Sequence, residues 1–183
     1  MRIIAGSLKG RKLFSPADEK IRPTSDKVKE SIFNMIAGHM DEAVVVDLFC
    51  GTGNLGIEAI SRGAKKCYFV DRSRESIALT AKNISHCKID DVSIVICADY
   101  ARGIEKIREK VDVAFLDPPY KSGLLMECVQ LIADSGLMAQ DGIIVIEHGS
   151  EEELPPDIES FSRIKHKRYG KIEIEIFSQT AEE

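Results

Sequence analysis

The sequence has no apolar run approaching the roughly 20 residues needed to cross a bilayer. Its opening, Met1-Arg2-Ile3-Ile4-Ala5-Gly6, lacks the long apolar core of a signal peptide. A soluble, cytoplasmic protein is expected. Cysteine is sparse: Cys50, Cys67, Cys87, Cys97 and Cys128 are odd in number and form no C-x-x-C pair, which argues against a disulfide framework or a zinc site. The histidines (His39, His86, His148, His166) show no H-E-x-x-H or other ligand spacing, so no metal is expected. Internal repeats and low-complexity tracts are lacking as well. The 183 residues, 44% of them apolar, suit one domain with a sizeable core. Residues 1–22 read as a basic N-terminal hairpin and linker, and residues 23–183 as the core.

Net charge is −5, but its distribution is uneven. Residues 1–29 hold eight Lys/Arg against three Asp/Glu, a net of +5; the remainder holds 17 against 27, a net of −10. Such asymmetry marks either a solvated face or an arm that meets a polyanion. In that arm, Ile3 and Ile4, then Leu13 and Phe14, flank Gly6 to Gly10, as in a small hairpin that carries Lys9, Arg11 and Lys12. A linker bounded by Pro16 and Pro23 follows, and then a helix capped by Thr24 or Ser25, with Val28, Ile32, Met35 and Ile36 at helical spacing. Arg22, Thr24 and Asp26 gather at its start, where free N–H groups attract anions or are simply capped.

Val44 to Phe49 is an apolar strand interrupted by Asp47, and it runs into Cys50-Gly51-Thr52-Gly53-Asn54-Leu55-Gly56 ahead of a helix to about Arg62. The G-x-G-x-x-G spacing thus has a strand before it and a helix after it. A second strand, Cys67 to Val70, ends at Asp71, 20 residues after Gly51, where an acid can take the two hydroxyls of a ribose. This unit predicts an adenosine-containing cofactor. Asp47 suits a cationic group on that cofactor, or bonds nearby backbone N–H groups. Further α/β steps follow: a helix over 74–87, a strand over 92–97 leading to Asp99 and Tyr100, a helix over 101–110, a strand over 111–116, a helix over 123–133, and a strand over 143–147. Asp99 can accept from an adenine amino group or cap the next helix. A hairpin over 161–177 closes the chain, its first strand lined by Arg163, Lys165, Lys167 and Arg168.

The strand over 111–116 stops abruptly at Asp117-Pro118-Pro119-Tyr120. Two prolines lack the N–H groups that a sheet or helix needs, which leaves a carboxylate, rigid carbonyls and an aromatic ring at a strand end, the usual ligand edge of a parallel sheet. That set suits a nucleobase bearing an exocyclic amine. It is equally compatible with a plain strand stop whose tyrosine packs inward.

Taken together, the glycine turn after the first strand and Asp-Pro-Pro-Tyr after the fourth resemble the amino-methylating branch of the class I S-adenosylmethionine-dependent methyltransferases. Within that branch the chain resembles the RsmD family over nearly its whole length. The resemblance rests on Arg2-Ile3-Ile4-Ala5-Gly6 with Gly10-Arg11-Lys12-Leu13, on Arg22-Pro23-Thr24-Ser25-Asp26 through Glu30-Ser31-Ile32-Phe33-Asn34, on Asp47 to Gly53, and on Asp117 to Tyr120. It implies a Rossmann-like α/β fold: a mostly parallel seven-stranded sheet, an antiparallel C-terminal hairpin and a small N-terminal β-hairpin. The implied activity is transfer of a methyl group from S-adenosyl-L-methionine to the exocyclic N2 of a guanine (guanine 966 in the family) in 16S rRNA, within a small ribosomal subunit or its assembly intermediate. Asp117, Pro118, Pro119 and Tyr120 would hold the target base. Asp47, Phe49, Gly51, Thr52, Gly53, Asp71, Arg72, Asp99 and Tyr100 would hold the cofactor, with Arg22, Thr24 and Asp26 closing over it. Lys9, Arg11 and Lys12 would contact RNA, and a monomer is expected. Three other functions share parts of this pattern: an adenine-N6 DNA methyltransferase, a nicotinamide-dependent oxidoreductase, and a non-catalytic ribosome-assembly factor.

Overall fold

The computed structural model describes residues 1–16, 25–119 and 123–180. Its strands are β1 (Val44–Leu48), β2 (Lys66–Asp71), β3 (Ser93–Cys97), β4 (Val111–Leu116), β5 (Met138–Gly149), β6 (Asp157–Ile158), β7 (Phe161–Tyr169) and β8 (Ile172–Gln179). They form one sheet in the order β3-β2-β1-β4-β5-β8-β7-β6. β1 to β5 are mutually parallel, and β8, β7 and β6 add on antiparallel. The two-residue β6 adds an eighth strand to the seven expected.

Buried strands explain the apolar runs, because helices cover both faces. Side chains alternate along each strand, so Val45, Phe69, Val113, Phe115, Val145 and Ile174 enter one core layer and Val46, Leu48, Ala114, Leu116, Ile144 and Ile146 the other. The first layer is closed by α1 (Asp26–Met35), α2 (Asn54–Ser61) and α3 (Arg74–Cys87), and the second by α4 (Tyr100–Lys106) and α5 (Leu124–Ser135). α1 is capped by Ser25, whose side chain accepts from the Val28 N–H. α4 stops at Lys106, short of the expected 110, since Ile107 is extended and buried in the second layer. β5 is longer than expected at both ends: Met138 pairs with Val111, and its far end is zipped to β8 from Ile143 to Gly149.

The strand order reverses between β1 and β4: the chain moves outward from β1 through β2 to β3, then returns to place β4 on the other side of β1. Sheets of this kind bind ligands in the crevice beyond the carboxyl ends of the strands at that reversal. The glycine turn leaves β1 there, and Asp117 leaves β4 there.

The N-terminal segment forms the small hairpin expected, in minimal form. Arg2 and Lys12 form an antiparallel bridge, the Ile3 N–H donates to the Arg11 carbonyl at 2.9 Å and the Gly10 N–H to the Ile3 carbonyl at 2.8 Å, and the segment lies against α2 and α3. The Ser7 N–H donates to the Ser61 carbonyl at 2.7 Å and the Leu8 N–H to Ser61 Oγ at 3.0 Å. A side chain at Gly6 would collide with Ser61, its Cβ only 1.7 Å from the carbonyl oxygen, so this contact needs glycine. The anchor beneath is a charged cluster that sequence patterning missed. Glu58, fully buried on α2, accepts from the N–H groups of Ile4 and Ala5 at 2.8 and 3.0 Å, from Lys29 Nζ at 3.0 Å and from Arg62 Nε at 2.8 Å. Lys29, also fully buried, donates onward to the Arg2 carbonyl and to Asn54 Oδ1.

Candidate active site

At the end of β1 the chain turns sharply, with Phe49, Gly51 and Gly53 all at positive φ (66°, 53° and 76°). Phe49 carries a conformation that is costly for a bulky residue, and its ring lies 5.7 Å from that of Tyr100. The glycines do distinct jobs. A side chain at Gly51 would meet only the Phe49 carbonyl oxygen, 4.0 Å away, so backbone is open to a ligand there. Gly56, one turn into α2, sits where a Cβ would lie 2.4 Å from the Phe69 ring, so it lets the helix pack tightly on β2.

Asp47 is buried, and its Oδ2 accepts from the Gly56 N–H at 2.9 Å, which is the backbone-holding role anticipated as an alternative. Burial pushes its carboxyl up to about 7, the Asp71 charge adding to the effect and the Gly56 hydrogen bond opposing it. Asp71 Oδ2 accepts from the Gly51 N–H at 3.0 Å and its Oδ1 from the Ser73 N–H at 2.8 Å, so it ties the glycine turn to the end of β2. Each carboxylate oxygen has a second lone pair, which leaves capacity for ribose hydroxyls.

Asp117 follows the last residue of β4, half-buried, with Pro118 buried and Pro119 exposed. Desolvation, then the charges of Glu147 and Asp47, hold its carboxyl well above the usual carboxylate range. Glu147 was not singled out from the sequence. It is buried on β5, two residues beyond Val145, just as Asp117 lies two beyond Phe115, and Phe115 and Val145 are register partners. Sequence carried one signal for it, a lone acid directly after the apolar run Ile143 to Ile146.

The remaining expected residues scatter. Asp99 caps α4, its Oδ1 accepting from the Arg102 N–H at 2.9 Å. Asp26, in the first turn of α1, pairs with Arg2 at 2.9 Å across an exposed surface. Arg72 is exposed beside Asp71 and Thr52 is half-buried in the turn. Tyr100 bonds Glu127, which raises its phenol above the usual range. Arg22, Thr24 and Tyr120 lie outside the described residues. Lys9 and Lys12 are exposed, whereas Arg11 donates to the His86 carbonyl at 2.7 Å. Because α2 begins at the crevice and runs back along the sheet, the loop tip that carries Lys9 lies toward the opposite edge, beside Ser61. The β7–β8 turn, by contrast, stands at the crevice edge, since Ile172 pairs with Gly149 at the carboxyl end of β5.

Asp47 also yields a measurable pH effect. Its folded pKa exceeds the unfolded value, so between about pH 4 and 7 the native protein binds more protons than the unfolded chain, and stability falls as pH rises through that window. Asp47→Asn keeps a carbonyl for the Gly56 N–H and removes the titration. Ligand-free variant is expected to melt above wild type at pH 8, by on the order of 1–4 kcal/mol, and to converge with it near pH 4. Thermal melts across that range check this.

A mostly parallel sheet with a glycine turn after β1, an acid after β2, Asp-Pro-Pro after β4 and a reversed C-terminal hairpin defines a Rossmann-like methyltransferase fold. The family described as conserved hypothetical protein 95 matches residues 1–178, and the chain belongs to it, which is the RsmD family. Ribosomal RNA small subunit methyltransferase D of Escherichia coli is 31% identical over 185 residues, covering 100% of this chain and 91% of the relative. YlbH of Bacillus subtilis is 39% identical over 182 residues, covering 98% and 99%. The solved structure of Escherichia coli yhhF superposes with a TM-score of 0.89 at 30% identity, covering 100% of this chain and 99% of that one.

Proposed function

We propose that this protein transfers a methyl group from S-adenosyl-L-methionine to the exocyclic N2 of a guanine in small-subunit ribosomal RNA. The observation that carries the reading is the meeting of Asp117-Pro118-Pro119 with the glycine turn across the β1–β4 reversal. The name of the Escherichia coli relative supports the RNA class.

The residues fit a cationic, adenosine-bearing group: Gly51 is open to a ligand, Asp71 stands at the end of β2, and Asp47 adds a buried acid. When bound, S-adenosylmethionine supplies an electrophilic methyl on its sulfonium. Asp117 would accept a hydrogen bond from the guanine amine, and the Pro118 carbonyl would accept another. The lone pair of that amine is delocalised into the ring, and both bonds make it more available while aiming it at the methyl. Positioning of this kind is worth roughly 7–11 kcal/mol, and the carboxylate stabilises the charge that develops on nitrogen. The proton leaves afterwards, to Asp117 or to water. A base held in this crevice must first leave its stack, which favours a looped or splayed RNA target.

RNA would be gripped from two sides. Lys9, Arg11 and Lys12 offer phosphate contacts on the N-terminal loop. Nearer the crevice, a groove of about 360 Å³ runs between α1 and β7, with Lys27, Lys167 and Tyr169 in its wall.

The test is to incubate the protein with radiolabelled cofactor and small ribosomal subunits that lack the modification, then to map the labelled nucleotide. Label on a guanine N2 of the small-subunit RNA is expected. Label on an adenine, or on DNA in preference to RNA, would overturn the reading.

A further inference from the structure

The side chains of Asp117 and Glu147 leave adjacent parallel strands at the same level and on the same face of the sheet. Phe115 pairs with Val145 and Leu116 with Ile146, and two residues past the first of these pairs come the two acids. Strand alternation puts Val113, Phe115, Val145 and Ile143 in the layer beneath α1, so Asp117 and Glu147 follow them onto that side. Neighbouring strands are about 4.8 Å apart. Two acceptors are thereby set side by side at the mouth of the crevice, Glu147 reaching one methylene farther from its backbone. Glu147 is only 4% exposed. Acids buried this close repel, and a ligand with two adjacent N–H donors relieves the repulsion.

A guanine presents two such donors: its N2 amine and, on the neighbouring ring atom, N1–H. Adenine has an amine too, but its N1 is a lone-pair acceptor. We infer that Glu147 is a specificity-determining residue that accepts the N1–H of the target guanine while Asp117 holds the adjacent N2 amine. The inference rests on the guanine-N2 reading above and adds the reason for choosing that base. An amine flanked by an acceptor nitrogen would bring a lone pair against the Glu147 carboxylate and leave that acid buried without a donor from the base. Sites built to bond a substrate N–H reject analogues lacking it far more strongly than apolar pockets reject a missing methylene. Bases extruded into a pocket are read along this same edge.

The experiment compares small-subunit RNA carrying guanine or 2-aminopurine at the modified position. 2-Aminopurine keeps the N2 amine but has a lone pair at N1. Wild type is expected to prefer guanine by at least about 100-fold in kcat/KM. Glu147→Gln, nearly isosteric, presents an amide that can donate as well as accept, and it should narrow the preference by about tenfold or more. Glu147→Asp keeps the carboxylate and should keep the preference, with a lower rate on guanine. Cofactor affinity, measured by calorimetry, should stay at the wild-type value in both variants, which separates this role from a merely structural one. An unchanged preference in Glu147→Gln, with guanine N2 still the labelled atom, would overturn the inference and leave the proposed function standing. Label on a different atom in wild type would overturn both.

Discussion

Replacing Asp117 with alanine is expected to lower kcat by roughly 10²–10³-fold or more, the usual cost of removing a preorganised group from a developing charge, while S-adenosylmethionine still binds. The groups proposed to face the cofactor lie on β1, β2 and the glycine turn, and Asp117 stands across the reversal just past the end of β4. A second, opposite effect should accompany the loss. The Asp117 carboxyl is held above its usual range by desolvation and by the charges of Glu147 and Asp47. Its removal relieves that repulsion, so the ligand-free variant should be more stable than wild type at pH 8, and the difference should shrink as the pH falls and the acids protonate. Single-turnover kinetics with calorimetry of cofactor binding tests the first effect, and melts at two pH values test the second. Near-normal turnover would sink the assignment of Asp117 to the target amine.

The largest stability effect should come from Glu58→Ala. This change leaves the Lys29 ammonium fully buried without its carboxylate, and it strips the acceptor from the Ile4 and Ala5 N–H groups. Breaking one side of a buried ion pair costs about 3–5 kcal/mol. Urea unfolding should show a loss of that size, and hydrogen exchange at Ile4 and Ala5 should quicken beyond what global destabilisation explains, because the N-terminal loop loses its anchor. Burial already lowers the Lys29 pKa, so the orphaned amine should shed its proton more readily in the variant. A paired replacement, Lys29→Met with Glu58→Leu, should recover part of the loss, since the uncompensated charge is gone. A loss below about 1 kcal/mol for Glu58→Ala would mean that the Ser61 contacts alone hold the loop.

What could be read in advance follows from how local each signal is. α3 spans Arg74–Cys87 as expected, because Ser73 caps it and its buried Thr80, Asn83, Ile84 and Cys87 share one face. The β1 turn was legible because G-x-G-x-x-G encodes a backbone conformation, seen as positive φ at Gly51 and Gly53 and a tight approach at Gly56. Asp99 was legible as an acid at a strand end, but its capping bond to Arg102 depends only on the next three residues, and this local role is the one the fold displays. The docking of the N-terminal hairpin was not legible, for the opposite reason. Its backbone is claimed by Glu58 and Ser61, more than 50 positions away in sequence, so the surface it packs on could not be read from the segment itself.

By itself, then, the sequence determined the alternation of strands and helices, the glycine turn and the abrupt stop at Asp117-Pro118, since periodicity and missing N–H groups act on neighbouring residues. Only the tertiary structure decided which strands lie side by side. The reversal between β1 and β4 brings Asp117 to the glycine turn, and the register of β4 with β5 sets Glu147 beside Asp117. Those pairings are fixed by hydrogen bonds between segments some 30 to 70 residues apart, and by two core layers that bury each strand on both faces, neither of which any one segment encodes alone.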